Sequence, residues 1–189
     1  GLHVQVFRAT YRAAPCALKR FRLQDPTEAK MIGESQDREL ELFSALARAQ
    51  QERNWAGSNV VRLIGKVVDP ASEPRPFSLL FEFCDGSTLQ SQVVRRSQPR
   101  QKQLFRHSEF MFLANELLLG LEELQRQSII HGDIALRNIL LQQAAGAIAS
   151  VKLGDLGIAR TVDHLGLLKQ LKCEPMQWVI SVSTFAFLG

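Results

Sequence analysis

Cysteine is scarce in this chain of 189 residues: Cys16, Cys84 and Cys173 are its three, far apart and without metal-ligand spacing. That argues against a disulfide framework or a zinc site and favours a reducing compartment. Long apolar runs are missing too. Residues 110–121, interrupted by Asn115 and Glu116, and residues 178–189 are the longest, and both are too short to span a bilayer, so no membrane segment is expected. No Met opens the chain and no basic region followed by an apolar one stands at its start, so no signal peptide is visible. Charge of one sign is not in large excess. The 23 Lys and Arg stand against 19 Asp and Glu, a net +4 spread along the chain apart from a basic stretch at 95–106. That stretch reads as a solvated surface loop, and nucleic acid is not indicated as a partner. Repeats and low-complexity tracts are absent.

What remains is 46% hydrophobic and 22% charged, the make-up of one soluble globular domain long enough to bury a core. Apolar and polar residues alternate over 4–11 and 16–21 around Arg12-Ala13-Ala14-Pro15, which predicts a β-hairpin. Residues 37–49 place Leu42, Phe43 and Leu46 three or four apart between charges, an amphipathic helix. Residues 60–68 and 77–83 read as two further strands joined by a loop holding Pro70, Pro74 and Pro76. After Gly86 the composition shifts. A short helix is expected at 89–94 and a long one at 108–127, with Phe110, Leu113, Leu117, Leu121 and Leu124 on one face and Ser108 as its N-cap. Residues 139–141 and 151–153, flanking a glycine-containing turn, predict a second hairpin.

The most informative segment is Ile129-Ile130-His131-Gly132-Asp133-Ile134-Ala135-Leu136-Arg137-Asn138-Ile139-Leu140-Leu141, followed by Lys152-Leu153-Gly154-Asp155-Leu156-Gly157. Asp133 and Asn138 on one loop, with Asp155 after a strand, supply three oxygen-bearing groups suited to Mg²⁺ and a phosphate ester. Magnesium keeps waters and shares its coordination with substrate phosphates, so Asn138 and Asp155 suffice as protein ligands and Asp133 is left to orient an attacking hydroxyl. His131 reads as a core, hydrogen-bonded histidine that shapes the loop.

In these motifs and their order the chain resembles the protein kinase family. The resemblance implies an α+β, bilobal fold: a small antiparallel sheet lobe with one helix over residues 1–83, then a truncated, mainly helical large lobe over 84–179, with a divergent apolar tail at 180–189. It also implies residue roles. Ala17-Leu18-Lys19 looks like the strand motif that ends in the phosphate-binding lysine, and Asp155-Leu156-Gly157 stands where the family usually has Asp-Phe-Gly. Carried over, Lys19 holds the α and β phosphates of ATP, Asn138 and Asp155 bind Mg²⁺, and Asp133 accepts or orients the substrate hydroxyl. The partner of Lys19 is expected to be Glu39 rather than Glu41, because Leu42, Phe43 and Leu46 follow Glu39 at three, four and seven residues. Residues 79–86 look like the last small-lobe strand running into the hinge. There the Glu82 carbonyl and the Cys84 amide meet the adenine edge, Val6 and Ala17 roof it, Leu140 lies below, and Phe81 guards the back pocket. Phe43, Leu63, His131 and Leu156 match the family's spine of stacked side chains.

Ala135 and Arg137 within the loop, and Pro175-Met176-Gln177-Trp178, resemble tyrosine kinases rather than serine/threonine kinases, which place a lysine two residues after the aspartate. The expected partner is a protein substrate. The expected setting is cytoplasmic, in a free protein or the intracellular part of a membrane-anchored one. Four departures stand out. Gly1 and Val4 take positions of the phosphate-loop glycines, and Gly132 replaces the arginine that pairs with a phosphorylated activation loop. Residues 155–178 hold no tyrosine and a single hydroxyl, Thr161. After Val179 the expected Ala-Pro-Glu and later helices are replaced by an apolar tail. Two other readings compete: a small-molecule phosphotransferase of the aminoglycoside or choline kinase type, and a catalytically impaired pseudokinase or truncated scaffold.

Overall fold

A computed structural model describes residues 3–22, 29–52, 57–68, 77–98 and 105–162. The proline loop, Cys173, the segment 175–178, the tail after 179, Gly1 and the middle of the basic stretch lie outside the described residues. The first hairpin forms as its alternation predicts, from β1 (His3–Tyr11) and β2 (Ala14–Arg22). Its turn is tighter than the four residues expected: Arg12 and Ala13 alone close it, at φ 50° and 63°, the left-handed pair that suits the twist of a two-residue hairpin.

Helix α1 (Ala29–Glu52) starts eight residues before the expected position 37. Its first half is mostly polar in sequence yet partly interior, with Ile32, Ser35 and Gln36 buried, so the stripe from Leu42 onward marks only part of the buried face. Strands β3 (Leu63–Val67) and β4 (Ser78–Glu82) complete an antiparallel sheet of four strands in the order β1-β2-β4-β3. β3 is shorter than expected. Val60 and Val61 leave the sheet and join Leu153 instead, through a bridge between Val60 and Leu153 and the bond from Val61 N–H to the Leu153 carbonyl.

Beyond Gly86 come α2 (Leu89–Arg96), α3 (His107–Arg126), the two-residue strand β5 (Ile129–Ile130), a single 3₁₀ turn (Leu136–Asn138), the hairpin β6 (Ile139–Ala144) and β7 (Ala147–Leu153), and β8 (Arg160–Thr161), which pairs with β5. α2 is capped by Thr88, whose hydroxyl accepts from the Ser91 amide. α3 does not use Ser108 as its cap. It begins one residue earlier, with the Glu109 carboxylate accepting from the Arg106 amide at 2.8 Å, and a carboxylate there also favours the helix dipole. Of the predicted stripe, Leu113 and Leu124 are buried, and Leu117 and Leu121 pack against the core.

The core is continuous from sheet to helices: Phe43, Leu46, Phe77, Leu79 and Phe81 of the sheet side join Leu124, Leu141, Leu153 and Leu156 below. The loop after α1 stitches the two halves together. Buried Glu123 on α3 accepts from the Ser58 hydroxyl, the Asn59 amide and the Gln50 side chain, while Glu116 accepts from Asn59 and from the Val151 amide. Gly86 joins β6 by donating to the Leu141 carbonyl at 2.8 Å, and a Cβ there would lie 2.7 Å from that oxygen and 2.8 Å from Leu141 Cβ. Gly86→Ala is therefore expected to destabilise the fold by about 1–3 kcal/mol, the usual cost of overpacking. Gly65→Ala, with nothing within 4 Å of the added carbon, is expected to be near neutral. Denaturant titrations of both variants check the contrast.

Candidate functional site

β2 carries Ala17, Lys19 and Phe21 on one face, and the register sets Val6 opposite Lys19 on β1, with Phe81 opposite Ala17 and Leu79 opposite Lys19 on β4. Cross-strand partners share a face, so Val6, Ala17, Lys19 and Phe81 look out from one side of the sheet. Phe81 packs its ring edge to face on Phe43 of α1, with centroids 4.9 Å apart. That contact seats the helix behind the strand, at the position assigned to the back-pocket guard. Val6 is solvent-exposed, while Ala17 and Leu140 are half-buried.

Glu39 heads the buried stripe of α1 as the spacing requires, and it is 1% exposed, whereas Glu41 is solvated. The Lys19 ammonium meets both Glu39 oxygens at 2.7 and 2.8 Å and Asp155 Oδ1 at 2.9 Å. Burial works against the charge on Lys19, yet the two carboxylates hold its pKa above the ordinary lysine value. Burial pushes the Glu39 carboxyl up, against the pull of Lys19. Burial raises Asp155 also, but there Lys19 and the Gly157 amide prevail and hold it below the usual carboxylate value. One cation thus ties the sheet, the helix and the Asp155 loop together.

The second cluster lies on the loop after β5. Arg137 clasps both oxygens of Asp133 at 2.7 and 2.6 Å. Asn138, buried at the end of the 3₁₀ turn, donates its amide nitrogen to the Asp133 carbonyl and carboxylate at 2.9 Å each. With its nitrogen so committed, Asn138 has its carbonyl oxygen left over as an acceptor. His131 is interior as expected. Its Nε2 lies 3.0 Å from the Gly154 carbonyl and its Nδ1 accepts from the Asp133 amide, partners that fix the neutral Nε2–H tautomer. Gly132 has φ +79°, and a Cβ there would stand 3.3 Å from the Ile158 carbonyl, so an arginine at this position would be strained in backbone and crowded at once.

At the expected hinge, side chains are engaged as well as backbone. The Glu82 side chain accepts from the Arg62 amide and pairs with buried Lys152 at 3.2 Å, and Lys152 in turn donates to the Ser58 carbonyl. Lys152 sits within the motif at 152–157, where a single lysine in a strand carries no signal of its burial. Burial, with Glu82 close by, pushes the Cys84 thiol up to about 12, so it stays protonated and unreactive. Ser35 and Arg38 of α1 both donate to the Gly157 carbonyl. A hydrogen bond to a backbone oxygen more than a hundred residues away leaves no pattern in sequence.

Among the described residues no group of three or more His, Cys, Asp or Glu side chains is placed to hold a metal, and none is long and apolar enough to form a membrane-crossing helix. One carboxylate, Asp155, and one amide oxygen, Asn138, are nonetheless a hard-oxygen pair that fits Mg²⁺, which takes its remaining ligands from water and phosphate.

Comparison with known proteins points one way. The family model for protein tyrosine and serine/threonine kinases matches residues 1–183. A probable serine/threonine-protein kinase of Dictyostelium discoideum is 35% identical over 101 residues, 52% of this chain and 8% of that protein. The leukocyte tyrosine kinase receptor of Mus musculus is 35% identical over 110 residues, 57% of this chain and 12% of the receptor. Serine/threonine-protein kinase Nek2 of Homo sapiens is 29% identical over 112 residues, 56% of this chain and 23% of Nek2. The matched stretch is under a quarter of the length of each of these relatives.

The buried imidazole sets a pH dependence. Burial lowers the His131 pKa below its ordinary 6.5, a cost that its bond to Gly154 only partly offsets. The unfolded chain therefore binds the proton first, and stability falls as the pH drops below about 6.5. Buried Glu39 acts with the opposite sign above its ordinary value of 4.5, so the comparison must be between variants. Wild type is expected to lose more stability between pH 7.5 and 5.5 than His131→Gln does, as read by denaturant unfolding at each pH. Parallel losses would show that His131 does not titrate on unfolding.

Proposed function

The chain belongs to the protein tyrosine and serine/threonine kinase family, and from that membership we propose that it bears the catalytic site of a kinase that transfers the γ-phosphoryl of Mg·ATP to a protein hydroxyl, with tyrosine as acceptor. The observation that carries the proposal is the Lys19 ammonium held between Glu39 and Asp155, while Asp133 and Asn138 are locked to each other on the next loop. In this reading residues 1–83 form the small lobe and 84–179 the start of the large one. The nucleotide lies beneath Val6 and Ala17 and above Leu140, with adenine against the Glu82 and Cys84 backbone and Phe81 limiting the space behind it.

Lys19 clamps the α and β phosphates, and Glu39 keeps the ammonium from swinging away. Asn138 and Asp155 would hold Mg²⁺, and the ion would supply positive charge beside the phosphate oxygens. Asp133 orients the acceptor hydroxyl for attack in line with the bond that breaks to ADP, and takes up its proton. Arg137, paired with both Asp133 oxygens, fixes that carboxylate's direction. It also occupies the loop where serine/threonine kinases carry their lysine, and this supports tyrosine as the acceptor. A protein substrate and an intracellular setting complete the reading, in keeping with the free thiols of Cys16 and Cys84.

Two outcomes test this. Asp155→Asn and Lys19→Met are each expected to lower phosphotransfer to a tyrosine peptide by about 10²–10³, the scale on which a lost preorganised charge contact acts. Unchanged turnover in either would remove the assignment, and a preference for serine peptides would remove the tyrosine reading alone. Among the described residues after Asp155, Thr161 is paired to Ile129 and the Val162 amide is bonded to the Ser128 carbonyl, and Gly132 offers no side chain to a phosphate. Thr161→Ala and phosphatase-treated protein are therefore expected to keep wild-type turnover in the same assay.

A further inference from the structure

Gly157 lies between α1 and the Asp155 carboxylate, and both of its backbone polar groups are used. Its N–H donates to Asp155 Oδ1 at 3.3 Å. Its carbonyl accepts from the Ser35 hydroxyl and from an Arg38 guanidinium N–H, each at 3.2 Å. The fit is close: a Cβ on Gly157 would lie 3.1 Å from Ser35 Oγ and 3.3 Å from Asp155 Oδ1. Ser35 and Gly157 are buried, so the Gly157 carbonyl would be left without water if its α1 partners withdrew. Asp155 itself sits at φ +63°, a backbone region that a residue other than glycine keeps only when its surroundings enforce it.

From this arrangement we infer that Ser35 and Arg38 are positioning residues for Asp155, acting through Gly157. When α1 is seated, their two donors fix the Gly157 carbonyl, the Gly157 peptide presents its N–H to Asp155 Oδ1, and the carboxylate keeps its remaining oxygen directed to the cation site. Lys19 grips the same Oδ1 from the sheet side, so Asp155 is held from two directions by two elements, and neither hold requires a phosphate group. On the other side of this segment, Ile158 leans on Gly132 and Ala159 closes a turn onto the Leu156 carbonyl. The inference rests on the kinase reading for the role of Asp155, but the mechanical part of it does not.

The test uses the whole protein and two readouts. In metal-free protein, amide hydrogen exchange at residues 155–159 is expected to quicken about tenfold in the Ser35→Ala, Arg38→Met double variant, with exchange in β6 and β7 unchanged. In phosphotransfer, the same variant is expected to need several-fold more Mg²⁺ for half-maximal rate with its KM for peptide unaltered, and Arg38→Lys is expected to recover most of the loss. Glu41→Gln, on the solvated side of α1, serves as the control with no change in either. Arg38 is exposed, so Arg38→Met alone gives a folded variant should the double one lose its structure. Unaltered exchange at 155–159, or quickened exchange spread equally over β6 and β7, overturns the inference. So does a fall in rate without any change in Mg²⁺ requirement. Failure of the kinase reading looks different: Asp155→Asn then leaves phosphotransfer intact while the exchange result still stands.

Discussion

Everything in the site hangs on one buried cation. Lys19 comes from the middle strand pair, Glu39 from the helix, and Asp155 from the loop that follows the second hairpin, three segments that are distant in sequence. Burying such charges is costly, and the cost is recovered only when the partners are in place: removing one member of a buried pair typically costs about 3–5 kcal/mol because the other is left uncompensated. The triad therefore acts as a condition on the fold. If α1 moves outward, Glu39 strands Lys19, and if the Asp155 loop shifts, Lys19 loses a second partner.

That condition is met because α1 is fixed at more than one place by chemistry of different kinds. Its far end is tied through Gln50 and the Ser58-Asn59 loop to Glu123 and Glu116 of α3. Its middle is tied by Glu39 and by Phe43 against Phe81, and its first half by Gln36 to the Phe77 carbonyl. The Lys152–Glu82 pair does for β4 what these do for the helix, joining the last strand of the sheet to β7. These ties differ in kind and act at separate points along the helix. Together they leave the sheet and the second hairpin one way to sit with respect to each other, and so fix the separation between Lys19 and Asp133.

The sequence was most readable where one residue type at one spacing leaves little choice. The hairpin alternation located β1 and β2, the stripe after Glu39 separated it from Glu41, and Asp133, Asn138 and Asp155 stood out by order. It was least readable where polar side chains serve the interior. No apolar periodicity marks residues 29–36, where Ser35 and Gln36 are polar yet buried. Val60 and Val61 read as strand but lie outside β3, where Val60 makes an isolated bridge to Leu153 instead of joining the sheet. Glu123 stands in the long helix with nothing in its spacing to mark it as buried. Side-chain to backbone bonds across long separations carry no periodicity, so neither the ties of α1 nor the Lys152 pair had a signal to find.

The left-handed backbone at Asp155 also decides which side chains that position can host. Aspartate and asparagine enter that region at lower cost than most residues because their short polar groups can bond to nearby backbone, as Asp155 does with Gly157. A glutamate would keep the charge but lose that local bond, and an alanine would lose both. The chain's own geometry thus separates the electrical part of the residue from its conformational part. Asparagine removes the charge and leaves the backbone where it is, whereas any longer or branched replacement changes both at once and reports on the loop as much as on the chemistry.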